Sequence, residues 1–498
     1  MNQTFIDRTF DNIRQLWRDI RENSVVRSFG LDDEAARQEH WRRQVADCLA
    51  HRGGAVSARS RAAELGHDFL RLDADGRKAF LHLLLNEFDV DRGRLAALMT
   101  DWQQADDLAE RTMLEGRMRL ELVPPYRKLL QEFNALPQGV KFLVDLRADL
   151  LRWRGDAPGL SLLEQDLKTL LAGWFDIGFL ELHLITWNSP AALLEKLIAY
   201  EAVHQIRSWE DLKSRLAQDR RCFAFFHPGM PNEPLIFVEV ALVSGIANNI
   251  DTLIDRDLND ETADPSRADT AIFYSISNAQ SGLAGISFGD FLIKRVVSEL
   301  QRDLPNLRQF ATLSPIPGFR RWLSHMLPHS ETHDKDKAIV ANDKDMAGRA
   351  VKAVALHTDM NPPVSLPDAL WEDLICCAPL VSSDVVQSSA KDVAKGGVAT
   401  IDMASRTALL RLAAHYLLNE RRPGRDTALD PVAHFHLTNG ARVERINLDA
   451  NSSAAGQEQS FGLMVNYLYQ AGEIEKNHEN YVGAGKIAAS GNVRRLAG

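Results

Sequence analysis

FYSISNAQSGLAGISFGDFLIKRVVSELQRDLPNLRQFATLSPIPGF, residues Phe273 to Phe319, is the stretch on which the reading of the fold turns. Ile272, Tyr274 and Ile276 alternate with Phe273, Ser275 and Ser277, the period of two that suits a β-strand. A loop with Gly282, Gly285 and Gly289 follows. From Phe288 onward Phe291, Leu292, Val296 and Leu300 recur at helical spacing, and Gln309 to Leu313 turns extended again. Ser314-Pro-Ile-Pro-Gly-Phe319 then closes the unit as a rigid turn. Such a strand–loop–helix unit is suited to anions. The first N–H groups of a helix lack partners and carry partial positive charge, and glycines let a phosphate approach the backbone. The pattern is neither G-x-x-x-x-G-K-[ST] nor G-x-G-x-x-G, and an ordinary strand-to-helix turn would fit it as well.

Working outward from it, 498 residues with 45% hydrophobic and 25% charged content describe an ordinary multidomain globular chain. A net charge of -10 argues against generic nucleic-acid binding and leaves any anionic ligand dependent on local cations. Cys48, Cys222, Cys376 and Cys377 show neither zinc spacing nor a disulfide framework, which suits buried thiols in a reducing compartment. No apolar run reaches membrane-spanning length. Asp7, Asp11 and Asp19 depart from the acid-poor composition of a mitochondrial transit peptide, and the cytoplasm is the expected location.

Residues 1–189 read as an all-helical N-terminal domain, suited to a scaffold or oligomerisation surface. In GVKFLVDLRADLLRW, Val140, Leu143, Leu146, Leu150 and Trp153 form one apolar stripe. Similar patterns predict helices over Arg77–Phe88, Pro124–Leu136 and Leu160–Phe175. A last one covers Pro190–His204, and the composition changes after it. Residues 190–498 mix strands and helices, giving an α+β multidomain chain. Cys222–Phe226 and Pro234–Val243 predict two strands of a hairpin. Ala404–Asn419 predicts a helix, and Asn439-Gly440 between alternating runs predicts a second hairpin over Val432–Leu448 with His434 and His436 on one face. Asp255–Ser266 has aspartates like a calcium loop but Asp260 where glycine is needed and Ser266 where glutamate is needed. It and the charged His333–Met346 segment read as solvated loops.

Several segments together resemble the malonyl-CoA decarboxylase family. They are GVKFLVDLRADLL (139–151), TWNSP (186–190), EAVH (201–204), FYSIS (273–277), GDFLIKRVV (289–297), LSPIPGF (313–319), FHLTNGA (435–441) and FGLMVNYLY (461–469), in the family's order. The resemblance implies a catalytic domain of the GCN5-related acetyltransferase fold with helical insertions, in which the Phe273–Phe319 unit grips coenzyme A. Gly282, Ala284, Gly285, Ile286, Ser287, Phe288, Gly289 and Asp290 then match the CoA-binding loop, with Lys294 and Arg295 as candidate phosphate contacts. Ser314 and His436 match the catalytic pair, and Ser275 and Tyr469 match supporting positions. Where the family carries a supporting glutamate in the loop, this chain has Ser287, and Asp290 is the nearest acid.

The implied reaction turns malonyl-CoA into acetyl-CoA and CO2 through a thioester enolate. It needs a grip on the carboxylate, donors at the enolate oxygen and an acid for the α-carbon. No metal and no cofactor is expected, since coenzyme A is part of the substrate and the thioester is the electron sink. The sequence leaves open which of Ser314 and His436 protonates the α-carbon. An acyltransferase of the same fold and a non-catalytic acyl-CoA sensor are the rival readings. The family further implies a homo-oligomer, commonly a tetramer.

Overall fold

The computed structural model describes residues 34–175, 177–255, 264–286, 292–327, 366–381 and 402–498. Ser287 to Asp290 of the expected CoA loop, Phe291, most of the Asp255–Ser266 loop and all of His333–Met346 lie outside these residues. Two compact units are present. One takes the described residues up to Leu182 together with Phe225–Ile236 and Asn278–Gly289; the other takes His183–Ala224, Phe237–Ser277 and Asp290–Gly498.

The first unit is helical. Its helices include Glu34–Leu49, Gly54–Arg71, Ala74–Glu87, Arg92–Gln104, Leu108–Glu121, Tyr126–Asn134, Gly139–Trp153 and Pro158–Trp174. Aspartates start several of them. Asp73 Oδ1 accepts from the Gly76 N–H at 2.8 Å, and Asp91 and Asp107 cap the next two helices likewise, satisfying donors that have no partner within the helix. The core is a run of aromatic rings: Trp41 on Phe80 at 5.3 Å, Phe80 on Phe69 at 5.7 Å, Phe69 on Phe142 at 5.8 Å and Phe142 on Phe133 at 5.0 Å between centroids. The expected stripe on Gly139–Trp153 packs inward, with Val140, Leu143, Leu146 and Leu150 all buried. Gly139 permits a tight entry to that helix, since a Cβ built there would lie 1.8 Å from the Phe133 carbonyl oxygen.

The second unit is built on an eight-stranded sheet, formed by β1 (Glu181–Ile185), β2 (Arg220–Phe226), β3 (Ile236–Val243), β4 (Thr270–Asn278), β5 (Gln309–Thr312), β6 (Ser314–Pro315), β7 (Arg442–Asn447) and β8 (Met464–Tyr469). The spatial order is β1-β2-β3-β4-β5-β8-β6, with β7 also on β8. β4 and β5 are parallel, Phe273 opposite Thr312, and the Leu292–Asp303 helix connects them. Such a parallel pair needs a crossover, and the amphipathic run after the glycine loop supplies it. β4 is buried along nearly its whole length, so Ile272 and Tyr274 join Ala241, Ala311, Leu313 and Met464 in one core cluster. β1 is a departure from the helical expectation for residues up to 189. It is a largely exposed edge strand, so ELHLI shows no clean buried face to betray it.

The expected hairpin over Val432–Leu448 is overturned. Pro431–Thr438 is a helix, and only Arg442–Asn447 is a strand. Asp430 and Pro431 decide this: the carboxylate Oδ1 accepts from both Val432 N and Ala433 N at 2.9 Å, with proline at the first helical turn. Gly440 does adopt a positive φ of 80°, but as the residue that stops a helix, with its N–H donating to the Leu437 carbonyl.

Candidate active site

β5 and β6 are one extended segment with a break between them, and the break is chemically specific. β8 pairs with β5 through Tyr469 and Leu468 and with β6 through Val465 and Met464. Between these pairs, side chains replace the ladder. Asn466 Nδ2 donates to the Thr312 carbonyl at 2.7 Å, and the Tyr467 N–H donates to Thr312 Oγ1 at 3.1 Å. Leu313 N turns to the Phe273 carbonyl at 3.0 Å. Pro315 and Pro317 cannot donate to any ladder, and the chain leaves the sheet after Pro315. Gly318 completes the turn, where a Cβ would come within 2.2 Å of the Tyr416 hydroxyl.

Ser314 is thereby fixed at the end of a strand, 6% exposed, with its hydroxyl donating to Thr312 Oγ1 at 2.8 Å. His436 approaches from the Pro431–Thr438 helix. Its Nε2 lies 3.0 Å from Ser314 Oγ, and its Nδ1 lies 2.8 Å from the Tyr469 hydroxyl. The imidazole stacks on the Tyr467 ring, centroids 4.5 Å apart. Because the Ser314 hydroxyl proton is directed at Thr312, Ser314 Oγ accepts from Nε2–H, and Nδ1 accepts from Tyr469. Burial pushes the His436 imidazole down to about 3, so at neutral pH it is uncharged. The same burial pushes the Tyr469 phenol up, keeping it a protonated donor. The helical placement also separates the two histidines: His434 Nδ1 sits 2.8 Å from the Tyr481 hydroxyl instead.

Ser275 lies two residues beyond Phe273 on β4, and Ser314 two beyond Thr312 on the neighbouring segment, so both stand at the same end of parallel strands. The Ser275 hydroxyl is engaged by Glu201, 2.8 Å from each carboxylate oxygen, and Ser277 Oγ donates to the same carboxylate at 3.0 Å. Glu201 is itself held by the Val203 and His204 N–H groups at 2.9 and 2.7 Å. Glu201 and Thr312 are residues to which sequence reasoning gave no role. The EAVH motif carried the signal for the first, and the alternation Thr312, Ser314 for the second.

The loop Gln280–Ile286 belongs to the helical unit. Ser281–Leu283 forms a single helical turn against Gly139–Trp153, so close that a Cβ on Gly282 would lie 1.8 Å from the Val144 carbonyl oxygen. Buried Arg147 donates through Nη1 to the Gly282 carbonyl at 2.5 Å and through Nη2 to that of Ala284 at 2.8 Å, while pairing with Glu164 at 2.7 Å. Lys294 is ion-paired with Glu475 at 2.6 Å. Among the described residues no cluster of histidine, cysteine or carboxylates could hold a metal ion, and no helix is long and apolar enough to cross a membrane.

The family model for the malonyl-CoA decarboxylase C-terminal domain matches residues 178–497, and that for the N-terminal domain matches residues 88–175. The mitochondrial malonyl-CoA decarboxylase of Rattus norvegicus is 36% identical over 467 residues, covering 91% of this chain and 85% of that protein. That of Anser anser anser is 37% identical over 445 residues, covering 88% and 83%. Crystal structures of malonyl-CoA decarboxylase from Rhodopseudomonas palustris and Cupriavidus metallidurans superpose with TM-scores of 0.77 and 0.64, at 37% and 38% identity, each covering 92% of this chain and 99% of the other. With both family models matched in order and relatives aligned over nine-tenths of its length, the chain belongs to the malonyl-CoA decarboxylase family.

Proposed function

We propose that this protein decarboxylates malonyl-CoA to acetyl-CoA, and that the buried chain Thr312–Ser314–His436–Tyr469 does the proton work. That hydrogen-bonded chain is the observation that carries the reading. As the bond to the malonyl carboxylate breaks, CO2 leaves and the electron pair passes into the thioester, giving an enolate. A proton at the α-carbon then completes acetyl-CoA. Ser314 and His436 hold one transferable proton between them at Nε2 and Oγ, and solvent restores it after turnover. Tyr469, by donating to Nδ1, keeps that proton on Nε2. A neutral N–H and a hydroxyl in a water-poor site can stabilise the enolate oxygen without carrying a formal charge into the interior. Ser275, oriented by Glu201, is assigned to the malonyl group. The carboxylate expected at Ser287 is assigned to Glu201, which lies at Ser275.

The thioester supplies the electron sink, so the reaction is assigned no metal and no cofactor beyond the CoA of the substrate. The loop from Gly282 to Asp290 is assigned to CoA, and the helical part of the chain to self-association as a tetramer. Exposed Met99, Leu108, Met113 and Leu120 on the Arg92–Gln104 and Leu108–Glu121 helices support the latter.

The test is incubation with malonyl-CoA alone. CO2 and acetyl-CoA are expected without an acceptor and with EDTA present. Ser314→Ala and His436→Asn are each expected to lower kcat by roughly 10²–10⁴-fold, the span of lost acid–base and oxyanion catalysis. Turnover that requires an acyl acceptor would assign the chain to transfer instead. Near-native turnover by both variants would remove the assignment of the pair.

A further inference from the structure

Lys168 stands over the glycine loop on the Pro158–Trp174 helix. A Cβ built on Gly285 would lie 3.5 Å from its Nζ. The side chain is half-buried, and among the described residues the ammonium has no hydrogen bond and no ion pair. The reason is local. The acid one helical turn before it is Glu164, at the i−4 position where a lysine usually finds its partner, and Glu164 is taken by Arg147 at 2.7 Å. Arg147 also donates to the carbonyls of Gly282 and Ala284, which holds the loop beside Lys168.

The backbone beneath Lys168 is open in the same way. Leu283, Ala284 and Ile286 donate their N–H groups to Gln280, Ser281 and Leu283. The Gly285 N–H makes no hydrogen bond among the described residues. Gly285 has φ of 71°, a conformation that L side chains rarely adopt, so its backbone is left uncovered as well as unpaired. An N–H on a glycine and an ammonium on the neighbouring helix, neither paired among the described residues, therefore meet at one place, with Glu164 already paired to Arg147.

We infer that Lys168 and the Gly285 N–H together receive a phosphate of the nucleotide end of CoA, Lys168 being a substrate-binding residue. This rests on the reading of the chain as an enzyme of CoA thioesters. Lysine suits the task as a compact charge on a flexible stem that reaches a phosphate without fixed geometry. Arg147 is the positioning residue behind the site: it fixes the loop by its carbonyls and takes Glu164, the acid one helical turn before Lys168.

Calorimetric titration of CoA into wild type, Lys168→Ala and Lys168→Arg tests this, together with the KM for malonyl-pantetheine, a substrate that lacks the phosphates. Removing a charge-assisted contact is expected to weaken CoA about tenfold or more in Lys168→Ala, with most of the affinity restored by arginine. The KM for malonyl-pantetheine and the kcat for malonyl-CoA are expected to stay at wild-type values. Unchanged CoA affinity in Lys168→Ala overturns the proposal, and so does an equal loss for malonyl-pantetheine. CoA binding does not depend on turnover: a wild type that binds CoA but releases no CO2 refutes the decarboxylase reading and leaves Lys168 standing.

Discussion

His436 is 3% exposed, and its imidazole is pushed down from 6.5 to about 3 by burial alone. Unfolded, the ring binds a proton as the pH falls through its ordinary range; folded, it does not. The stability this group contributes is therefore complete above pH 6.5 and drains away as pH falls towards 3. The expected slope is about 1.4 kcal/mol per pH unit. His436→Asn, which has no such proton to gain, should show a flatter fall in unfolding free energy between about pH 6.5 and about pH 5, measured by denaturant titration. Equal slopes in the two proteins would mean that His436 takes up its proton at the same pH folded and unfolded. At this scale the sequence named side chains that the fold brings together, Ser314, His436 and Tyr469, but not their states. His436 at an ordinary pKa suits an imidazolium acid, whereas burial leaves the ring neutral. Glu201 and Asn466 could not be placed from sequence, because their partners Ser275 and Thr312 lie 74 and 154 residues away along the chain.

Elements were legible wherever the apolar period was unmixed. The Leu292–Asp303 helix and strand β4 follow the spacing of their side chains, as do Gly139–Trp153 and Met403–Leu418. Asn439-Gly440 misled because a positive φ at glycine serves a helix stop as readily as a hairpin. The deciding residues, Asp430 and Pro431, stand a full helix earlier. Gly282 shows the opposite case, a glycine needed for space rather than conformation. Gly282→Ala would drive its methyl into the Val144 carbonyl of the Gly139–Trp153 helix. Overpacking of this kind costs about 1–3 kcal/mol. The expected result is a lowered denaturation midpoint together with weaker CoA binding, since the helix cannot yield without disturbing the Arg147 clamp. A variant of native stability and affinity would show that the loop is not seated on that helix.

Among the described residues, Ser275, Thr312, Ser314, His436 and Tyr469 are buried, while the helical unit keeps apolar side chains outside. Leu108 is 78% exposed and Leu120 75% exposed, while the Arg92–Gln104 helix buries no residue within its own chain. A face of that kind is what the proposed self-association would use. Light scattering is expected to give a mass several times that of one chain, falling when Leu108 and Leu120 are both changed to Glu. A single-chain mass for the native protein would refute self-association. The four cysteines fit this interior: all are free thiols, three of them buried, and burial pushes Cys48 and Cys377 up to about 12.

Residue order alone determined the α+β class, the helical first part, and the motifs whose resemblance names the family. These depend on local periodicity and on short strings of side chains, which are written in the chain itself. Tertiary structure decided the rest. It turned the FHLTNGA segment into a helix and broke the strand beside Thr312. It also gave Ser275 its carboxylate and paired Glu164 with Arg147. Each of these is set by groups far apart in sequence whose energies exist only once they are desolvated and brought within hydrogen-bond reach.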